Sequence, residues 1–204
     1  MFTGLIREIA TVKSFKNGTL TLKAQHRPGL GDSIAVNGAC LTVTATHSDG
    51  FSVELSHESQ EVLAVERYTG PVHMEPAMQL GDRIEGHMVQ GHVDCVGEVE
   101  KIDKKSSSWD FYITAPEEQM KFMVPKGSVT IDGVSLTIND VGKESFRLTI
   151  IPHTLEGTLL KGYQKGTRVN IETDMFARYV YHLFGKNEKK GMSWSDVDRI
   201  SALY

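Results

Sequence analysis

Two histidines and a cysteine lie close together in the middle of the chain and are the first candidates for chemistry. His87 and His92 enclose Met-Val-Gln-Gly, and Cys95 follows shortly after. The spacing does not fit zinc, because a zinc-peptidase helix needs histidines four residues apart with a glutamate between them, and no paired cysteine motif is present. In an extended segment, His92 and Asp94 would point one way and Cys95 the other. We therefore expect no metal site.

Cys40 and Ser33 are the other candidates for reactive side chains. Cys40 follows an Asn-Gly turn, and Ser33 precedes that turn. A buried structural thiol and a surface serine are the ordinary roles of such residues. The sequence contains no Gly-x-Ser-x-Gly elbow, Walker loop or Gly-x-Gly-x-x-Gly fingerprint. The residue types alone leave the reaction open.

The elements that must position these residues occur twice along the chain. Residues 33–43 align without gaps on residues 128–138, and Cys40 aligns on Ser135. Shorter matches flank this block, where residues 4–6 align on 91–93 and residues 72–75 align on 169–172. Ordered matches of this kind indicate a duplicated domain. We predict domains over 1–86 and 87–174, followed by a helix and polar tail over 175–204.

The two halves differ in chemistry at one matched position. His92 aligns on Leu5. An imidazole present in only one half suggests proton transfer, since histidine titrates near neutral pH. A surface histidine is the alternative, and the sequence does not separate the two.

Short β-branched runs separated by Asn-Gly and Asp-Gly dipeptides indicate an all-β fold. These dipeptides supply the positive φ angles that tight hairpins require. Closing six strands into a barrel removes the exposed edges of a small open sheet. We predict two tandem homologous six-stranded Greek-key β-barrels plus a C-terminal α-helix.

The helix is predicted from an apolar stripe beyond the second repeat. Its members recur at helical spacing and are Phe176, Tyr179, Val180, Leu183 and Phe184. Asp174 is suited to cap the N-terminus. The pattern favours a helix packed on its own barrel, and five large apolar residues outside two barrels also suggest self-association.

Composition excludes several classes of partner. The formal net charge of −4 provides no basic face for nucleic acid or an anionic membrane. No run reaches the roughly 18 apolar residues of a membrane span, and the start of the sequence lacks an export leader. We expect a cytoplasmic protein with free thiols at Cys40 and Cys95 and with no nucleic-acid or membrane partner.

Five blocks of the sequence resemble the riboflavin synthase family, in the family's order: 1–6, 37–43, 86–94, 126–137 and 151–156. The resemblance covers residues 1–186. It implies a transferase that converts two molecules of 6,7-dimethyl-8-ribityllumazine into riboflavin and 5-amino-6-(D-ribitylamino)uracil, the last step of riboflavin biosynthesis, without a cofactor. It also implies a homotrimer in which the first barrel of one subunit faces the second barrel of another. Association with lumazine synthase is left open.

The same resemblance implies catalytic roles for Ser33, Cys40, His92 and Thr137. His92 would move the proton, Ser33 or an activated water would add to the acceptor ring, and Cys40 would hydrogen-bond the ring system. Substrate-binding residues of the first barrel would be Phe2, Thr3, Gly4, Leu5, Ile6, Cys40, Leu41, Thr42, Glu54, Leu55, Ser56, His57, Glu58, Ser59, Gly91, His92 and Val93. Those of the second would be Lys126, Ser135, Leu136, Thr137, Ile150, Ile151, Pro152, His153 and Thr154.

The alternative function is a non-catalytic lumazine or flavin carrier of the lumazine-protein kind. A carrier needs no proton-handling residues, so the set Phe2, Thr3, Ser33, Cys40 and His92 favours catalysis.

Overall fold

The computed structural model describes residues 1–184, so the predicted polar tail after the C-terminal helix lies outside the described residues. The strands are β1 (Glu8–Lys16), β2 (Thr19–Lys23), β3 (Ser33–Val36), β4 (Ala39–His47), β5 (Gly50–Glu54), β6 (Gly70–Pro76), β7 (Cys95–Lys104), β8 (Trp109–Thr114), β9 (Ser128–Ile131), β10 (Val134–Val141), β11 (Ser145–Ile150) and β12 (Arg168–Thr173). The helices are α1 (His57–Val62), α2 (Glu117–Met120), α3 (Pro152–Gly157) and α4 (Met175–Phe184), with 3-10 turns at Val65–Arg67 and Leu159–Gly162. Within 1–184 no helix is long and apolar enough to cross a membrane.

The described strands form two closed antiparallel barrels with the same architecture. The first has the cyclic order β1-β2-β5-β4-β3-β6, and the second has the matching order β7-β8-β11-β10-β9-β12. The non-sequential neighbours β2–β5 and β3–β6 are the crossovers of a Greek key. The register of β1 shifts between Val12 and Ser14, and that of β7 shifts between Val99 and Lys101, the equivalent position. The predicted pair of homologous six-stranded barrels is confirmed.

Two equivalent hairpin tips join the barrels. Asn37 and Gly38 have φ values of 44° and 83°, and Asp132 and Gly133 have 45° and 84°. Both positive angles are those of a tight hairpin turn, as the dipeptides predict. The tips touch, because a Cβ atom added to Gly38 would lie 2.7 Å from the backbone nitrogen of Gly133. Glycine is therefore required here by both the turn and the contact.

Each barrel has its own hydrophobic core. Leu20 and Phe51 are fully buried in the first, and Phe111 and Phe146 are buried to within 1% in the second. A buried side chain of this size contributes roughly 1.5–3 kcal/mol to folding. Each half thus has enough apolar side chains to fill its own barrel, and the interface between the halves can be polar.

That interface contains a buried hydrogen-bond network centred on His73 of β6. Its Nδ1 donates to the Asp132 carbonyl oxygen at 2.9 Å, and its Nε2 accepts the Leu159 N–H at 2.7 Å. Asn170, at the equivalent position of β12, makes the matching pair of bonds to the first barrel at 2.8 and 2.9 Å. Both nitrogens of the imidazole are used, so His73 fits only in its neutral form.

The buried carboxylate of Asp132 is compensated within the same interface. It is 1% exposed and accepts hydrogen bonds from the Tyr163 hydroxyl and the Asn170 N–H. The Arg67 guanidinium, which comes from the first barrel, forms an ion pair with it and lies over the Tyr163 ring at 4.4 Å. A charge without such partners would be too costly to bury.

Helix α4 leaves its apolar stripe in solvent. Asp174 Oδ1 accepts the Phe176 N–H at 2.9 Å, which confirms the predicted cap. The stripe does not cover the barrel, because Phe176, Tyr179, Val180, Leu183 and Phe184 are all 56–66% exposed. The expectation that the stripe packs on its own barrel is therefore wrong. The helix contacts that barrel through another face, where Arg178 bonds to Asp94 and the Tyr181 ring meets the Phe122 ring.

Replacing His73 with Asn is expected to reduce the loss of stability in acid. Burial lowers the pKa of His73 to about 4, whereas the unfolded chain takes up this proton near pH 6.5. Protonation therefore favours unfolding, and up to about 3 kcal/mol is lost as the pH falls from about 6.5 to 4.

The measurement is urea unfolding of wild type and His73→Asn at about pH 7 and pH 5. Burial raises the pKa of Glu75 and Glu172, so these two residues increase the free energy of unfolding as the pH falls, opposite to His73. Both proteins contain them, so the difference in pH dependence between the two proteins isolates His73. Asparagine already makes the equivalent bonds at position 170, so the variant should fold. Identical pH dependence in both proteins would contradict the prediction.

Candidate functional site

A cavity of about 270 Å³ lies at the Cys40 end of the first barrel. We call it the first cup. It is lined by Ala39, Cys40, Leu41, Glu58, Ser59, Val62, Leu63, Gly91, His92 and Val93. Cys40 is half-buried at the start of β4, whereas His92 is exposed at the rim. The cup therefore combines a thiol on its wall with an imidazole open to solvent.

Two short segments, one from each half, cross between the barrels. We call residues 2–6 the first strap and residues 89–93 the second strap. They pair through Phe2 N–H to Val89 O at 2.7 Å and Val89 N–H to Phe2 O at 3.0 Å. The second strap leads into the second barrel, yet its Val93 packs against the first core, and Ile6 of the first strap packs against the second core. The halves exchange their straps.

Gly91 holds the second strap against the wall of the first cup. Its carbonyl accepts the Cys40 N–H at 2.8 Å. Its φ is 79°, and an added Cβ would lie 2.6 Å from Cys40 Cβ and 2.9 Å from the Phe2 ring. Residues 91–94 lie outside the strands, because β7 begins only at Cys95.

The equivalent end of the second barrel, which we call the second cup, has Ser135 of β10 at the position of Cys40. The Ser135 N–H donates to Gly4 O at 2.8 Å, and an added Cβ on Gly4 would lie 2.6 Å from Ser135 Cβ. Residues 4–6, which the resemblance put in the first barrel, thus lie against the second. The reason is the strap exchange, which the sequence repeat does not encode.

His87, which the sequence offered only as a possible metal ligand, lies beside Ser135 in the second barrel. Its Nδ1 is hydrogen-bonded to Ser135 Oγ at 2.7 Å, and its Nε2 lies 3.4 Å from Thr130 Oγ1. Burial lowers the pKa of His87, while Asp174 raises it. Each cup therefore has a histidine beside the matched Cys or Ser. The only sequence signal was the position of His87 just before the second strap.

The remaining catalytic candidates lie at the far end of the two hairpins. Ser33 pairs with Thr42, and Ser128 pairs with Thr137 in the equivalent register. Lys126 is exposed next to this end of the second barrel, where its N–H donates to Ile138 O at 2.7 Å. Within one chain, the structure therefore brings Cys40 and His92 together and leaves Ser33 and Thr137 outside the first cup.

The other predicted binding residues differ in their exposure. Fully or nearly buried are Phe2, Thr3, Gly4, Leu41, Leu55, Gly91 and Ile150. Half-buried are Leu5, Ile6, Ser59, Val93, Ser135, Leu136 and Thr154. Exposed are Thr42, Glu54, Ser56, His57, Glu58, Ile151, Pro152 and His153. Among residues 1–184, no three His, Cys, Asp or Glu side chains are grouped so that they could hold a metal ion.

Two equivalent barrel ends, each covered by a strap from the other half, define a duplicated barrel protein, and the cavity of the first cup is its candidate small-molecule site. The lumazine binding domain family matches residues 3–76 and 90–174. Riboflavin synthase of Bacillus amyloliquefaciens is 37% identical over 198 residues, which cover 93% of this chain and 92% of the relative. That of Bacillus subtilis is 38% identical over 200 residues, or 93% of each chain. The chain belongs to the riboflavin synthase family of lumazine-binding proteins.

Solved structures of LumP share the fold. LumP with riboflavin has a TM-score of 0.76 and 21% identity, covering 85% of this chain and 100% of LumP. LumP with 6,7-dimethyl-8-(1'-D-ribityl) lumazine has a TM-score of 0.73 and 22% identity, covering 85% and 99%. At this identity the likeness establishes the fold alone. The relatives of higher identity are named synthases, which supports an enzyme and does not favour a carrier.

Replacing Gly91 with Ala is expected to destabilise the protein by about 2–5 kcal/mol, because a side chain at positive φ adds strain and the new methyl group clashes with Cys40. Urea denaturation measures the loss. Gly157→Ala is the matched control, since an added Cβ there meets nothing within 4 Å. Equal stability of the two variants would contradict the strap geometry.

Proposed function

We propose that this protein is a transferase that converts two molecules of 6,7-dimethyl-8-ribityllumazine into riboflavin and 5-amino-6-(D-ribitylamino)uracil. The observation that carries the proposal is the identity of 37–38% to riboflavin synthases over nearly the whole chain. The paired cups agree with a reaction between two copies of one compound. A four-carbon unit passes from one copy to the other, so the reaction needs no external oxidant, reductant or cofactor.

The cups are proposed to act mainly by positioning the two heterocycles. Holding two reactants in an aligned pair can contribute roughly 7–11 kcal/mol to the rate. Within the first cup, Cys40 would hydrogen-bond the ring system, and His92 would move the proton. Ser33 or an activated water would add to the acceptor ring.

The side chains outside the first cup acquire a role if the site is shared between subunits. We propose a homotrimer in which the first barrel of one subunit faces the second barrel of the next. Thr137 and Lys126 would then reach the substrate held by another chain's first barrel. The exposed stripe of α4 supports this assembly, because such an apolar patch is typical of a contact surface.

We also propose that the domains span 1–86 and 87–174, with 175–204 serving assembly, and that the protein works in the cytoplasm. The barrel strands end at Pro76 and resume at Cys95, which agrees with that division. Both cysteines are free thiols, as a reducing compartment requires.

Incubating the purified protein with 6,7-dimethyl-8-ribityllumazine alone is expected to yield riboflavin. The fluorescence of riboflavin measures its formation. His92→Gln is expected to lower kcat by about 10²- to 10⁴-fold, the usual contribution of a proton-transferring group. His47→Gln is the control, since His47 is exposed at the opposite end of the Cys40 strand. Lumazine binding without turnover would favour the carrier, and an unchanged rate in His92→Gln would remove its role.

Leu183→Glu is expected to convert a trimer into monomers, because a charge in the α4 stripe opposes burial at a contact. Sedimentation equilibrium measures the mass. Leu30→Glu is the matched control, since Leu30 is 70% exposed but lies outside α4. A trimer that survives Leu183→Glu would refute the assembly through this stripe.

A further inference from the structure

The last strand of the second barrel carries a carboxylate that the proposed mechanism does not use. Glu172 is 3% exposed. Its Oε1 accepts the Gln90 N–H at 2.7 Å, and its Oε2 accepts the Gly91 N–H at 2.8 Å. A side chain of the second barrel therefore holds the strap that completes the cup of the first.

These two bonds fix the peptide that carries His92. Gly91 is held on one side by Glu172 and on the other by Cys40, whose N–H donates to its carbonyl. The next residue is His92, the proposed proton carrier at the rim of the cup. Any shift of the Gln90–Gly91 backbone moves the imidazole relative to the thiol.

A second set of bonds holds the strap beyond His92. Asp94 Oδ2 accepts both the N–H and the hydroxyl of Thr173 at 2.7 Å. Arg178 of α4 donates to Asp94 Oδ1 at 2.6 Å and to Gln90 Oε1 at 2.7 Å. His92 is thus bracketed on both sides by residues that the second barrel and α4 hold in place.

We propose that Glu172 is a positioning residue, which sets the place of the His92 imidazole over the first cup through its paired bonds to the Gln90 and Gly91 amides. The inference rests on the proposed function for the role of His92. Glu172 itself touches the strap and does not touch the cup.

The chemistry of the carboxylate suits this role. Two backbone N–H groups require two acceptors, which only an ionised carboxylate supplies from both oxygens. Burial raises the pKa of Glu172 to about 7, while these two hydrogen bonds and Arg178 act in the opposite direction. Burying a charged carboxylate costs free energy of desolvation, so its presence is better explained by the backbone that it holds than by a gain in stability.

The first barrel supplies a matched control at the equivalent position. Glu75 accepts the Thr3 N–H at 2.7 Å and the Gly4 N–H at 3.0 Å, and so holds the first strap in the same way. The residue after Gly4 is Leu5, which cannot carry a proton. Glu75→Gln therefore weakens the same kind of paired hydrogen bonds without moving an imidazole.

The experiment compares Glu172→Gln with Glu75→Gln. The position of His92 is followed by its ¹H–¹⁵N imidazole signals in NMR spectra, which are assigned with the His92→Gln variant. The kinetic measurements are kcat and KM. Glutamine retains one acceptor oxygen and presents an NH₂ group to the second backbone N–H, so one of the two hydrogen bonds is lost. Glu172→Gln is expected to move the His92 signals and to lower kcat by about 10- to 100-fold with little change in KM, as for a displaced catalytic group. Glu75→Gln is expected to leave the His92 signals in place.

Unmoved His92 signals in folded Glu172→Gln, or equal movement in Glu75→Gln, would overturn the inference. If Glu172→Gln does not fold, Arg178→Gln takes its place. Arg178 is partly exposed and bonds to the same segment, so its replacement should be tolerated and is expected to move the same His92 signals. The imidazole signals report on position without turnover. A wild-type protein that makes no riboflavin would therefore refute the proposed function and leave the positioning inference to be decided by the spectra.

Discussion

The exchange of two short straps between the halves is the constraint on which the site depends. Phe2 and Val89 pair side by side, and each strap packs against the barrel of the opposite half before the chain enters its own. The Gly91 carbonyl binds the Cys40 amide, and the Gly4 carbonyl binds the Ser135 amide. Each cup is therefore complete only while the two halves are together. The barrels have separate cores, yet they share their functional ends.

The duplication preserves backbone contacts more strictly than side-chain chemistry. Hairpin tips, register shifts and strap bonds occur in both halves, because they depend on main-chain groups that every residue has. The side chains at matched positions differ where the backbone leaves them free, as His92 and Leu5 do. Where a matched polar pair is buried, both members still find partners, and no buried side-chain nitrogen or oxygen in the described range lacks one. Unlike cups can thus arise on one shared frame.

Much of the fold could be predicted because its signals are local or repeated. Asn37-Gly38 and Asp132-Gly133 have the torsions that their residue types favour, and the matched blocks place both barrels. The apolar stripe of α4 predicted the helix but not the surface that covers it. An amphipathic pattern shows which face of a helix is apolar and does not show what packs against that face. The site could be predicted less completely: the resemblance names Cys40 and His92, whereas the sequence offered His87 only as a possible metal ligand.

The sequence by itself determined two homologous barrels, their hairpin turns, the terminal helix and the family to which the chain belongs. Only the tertiary structure decided which strap closes which cup, that His87 meets Ser135, and that Glu172 holds the segment carrying His92. The physical reason is that these contacts join groups far apart along the chain, and the strap contacts depend on backbone amides and carbonyls. Such groups are present at almost every residue, so the sequence carries no mark of the ones that pair.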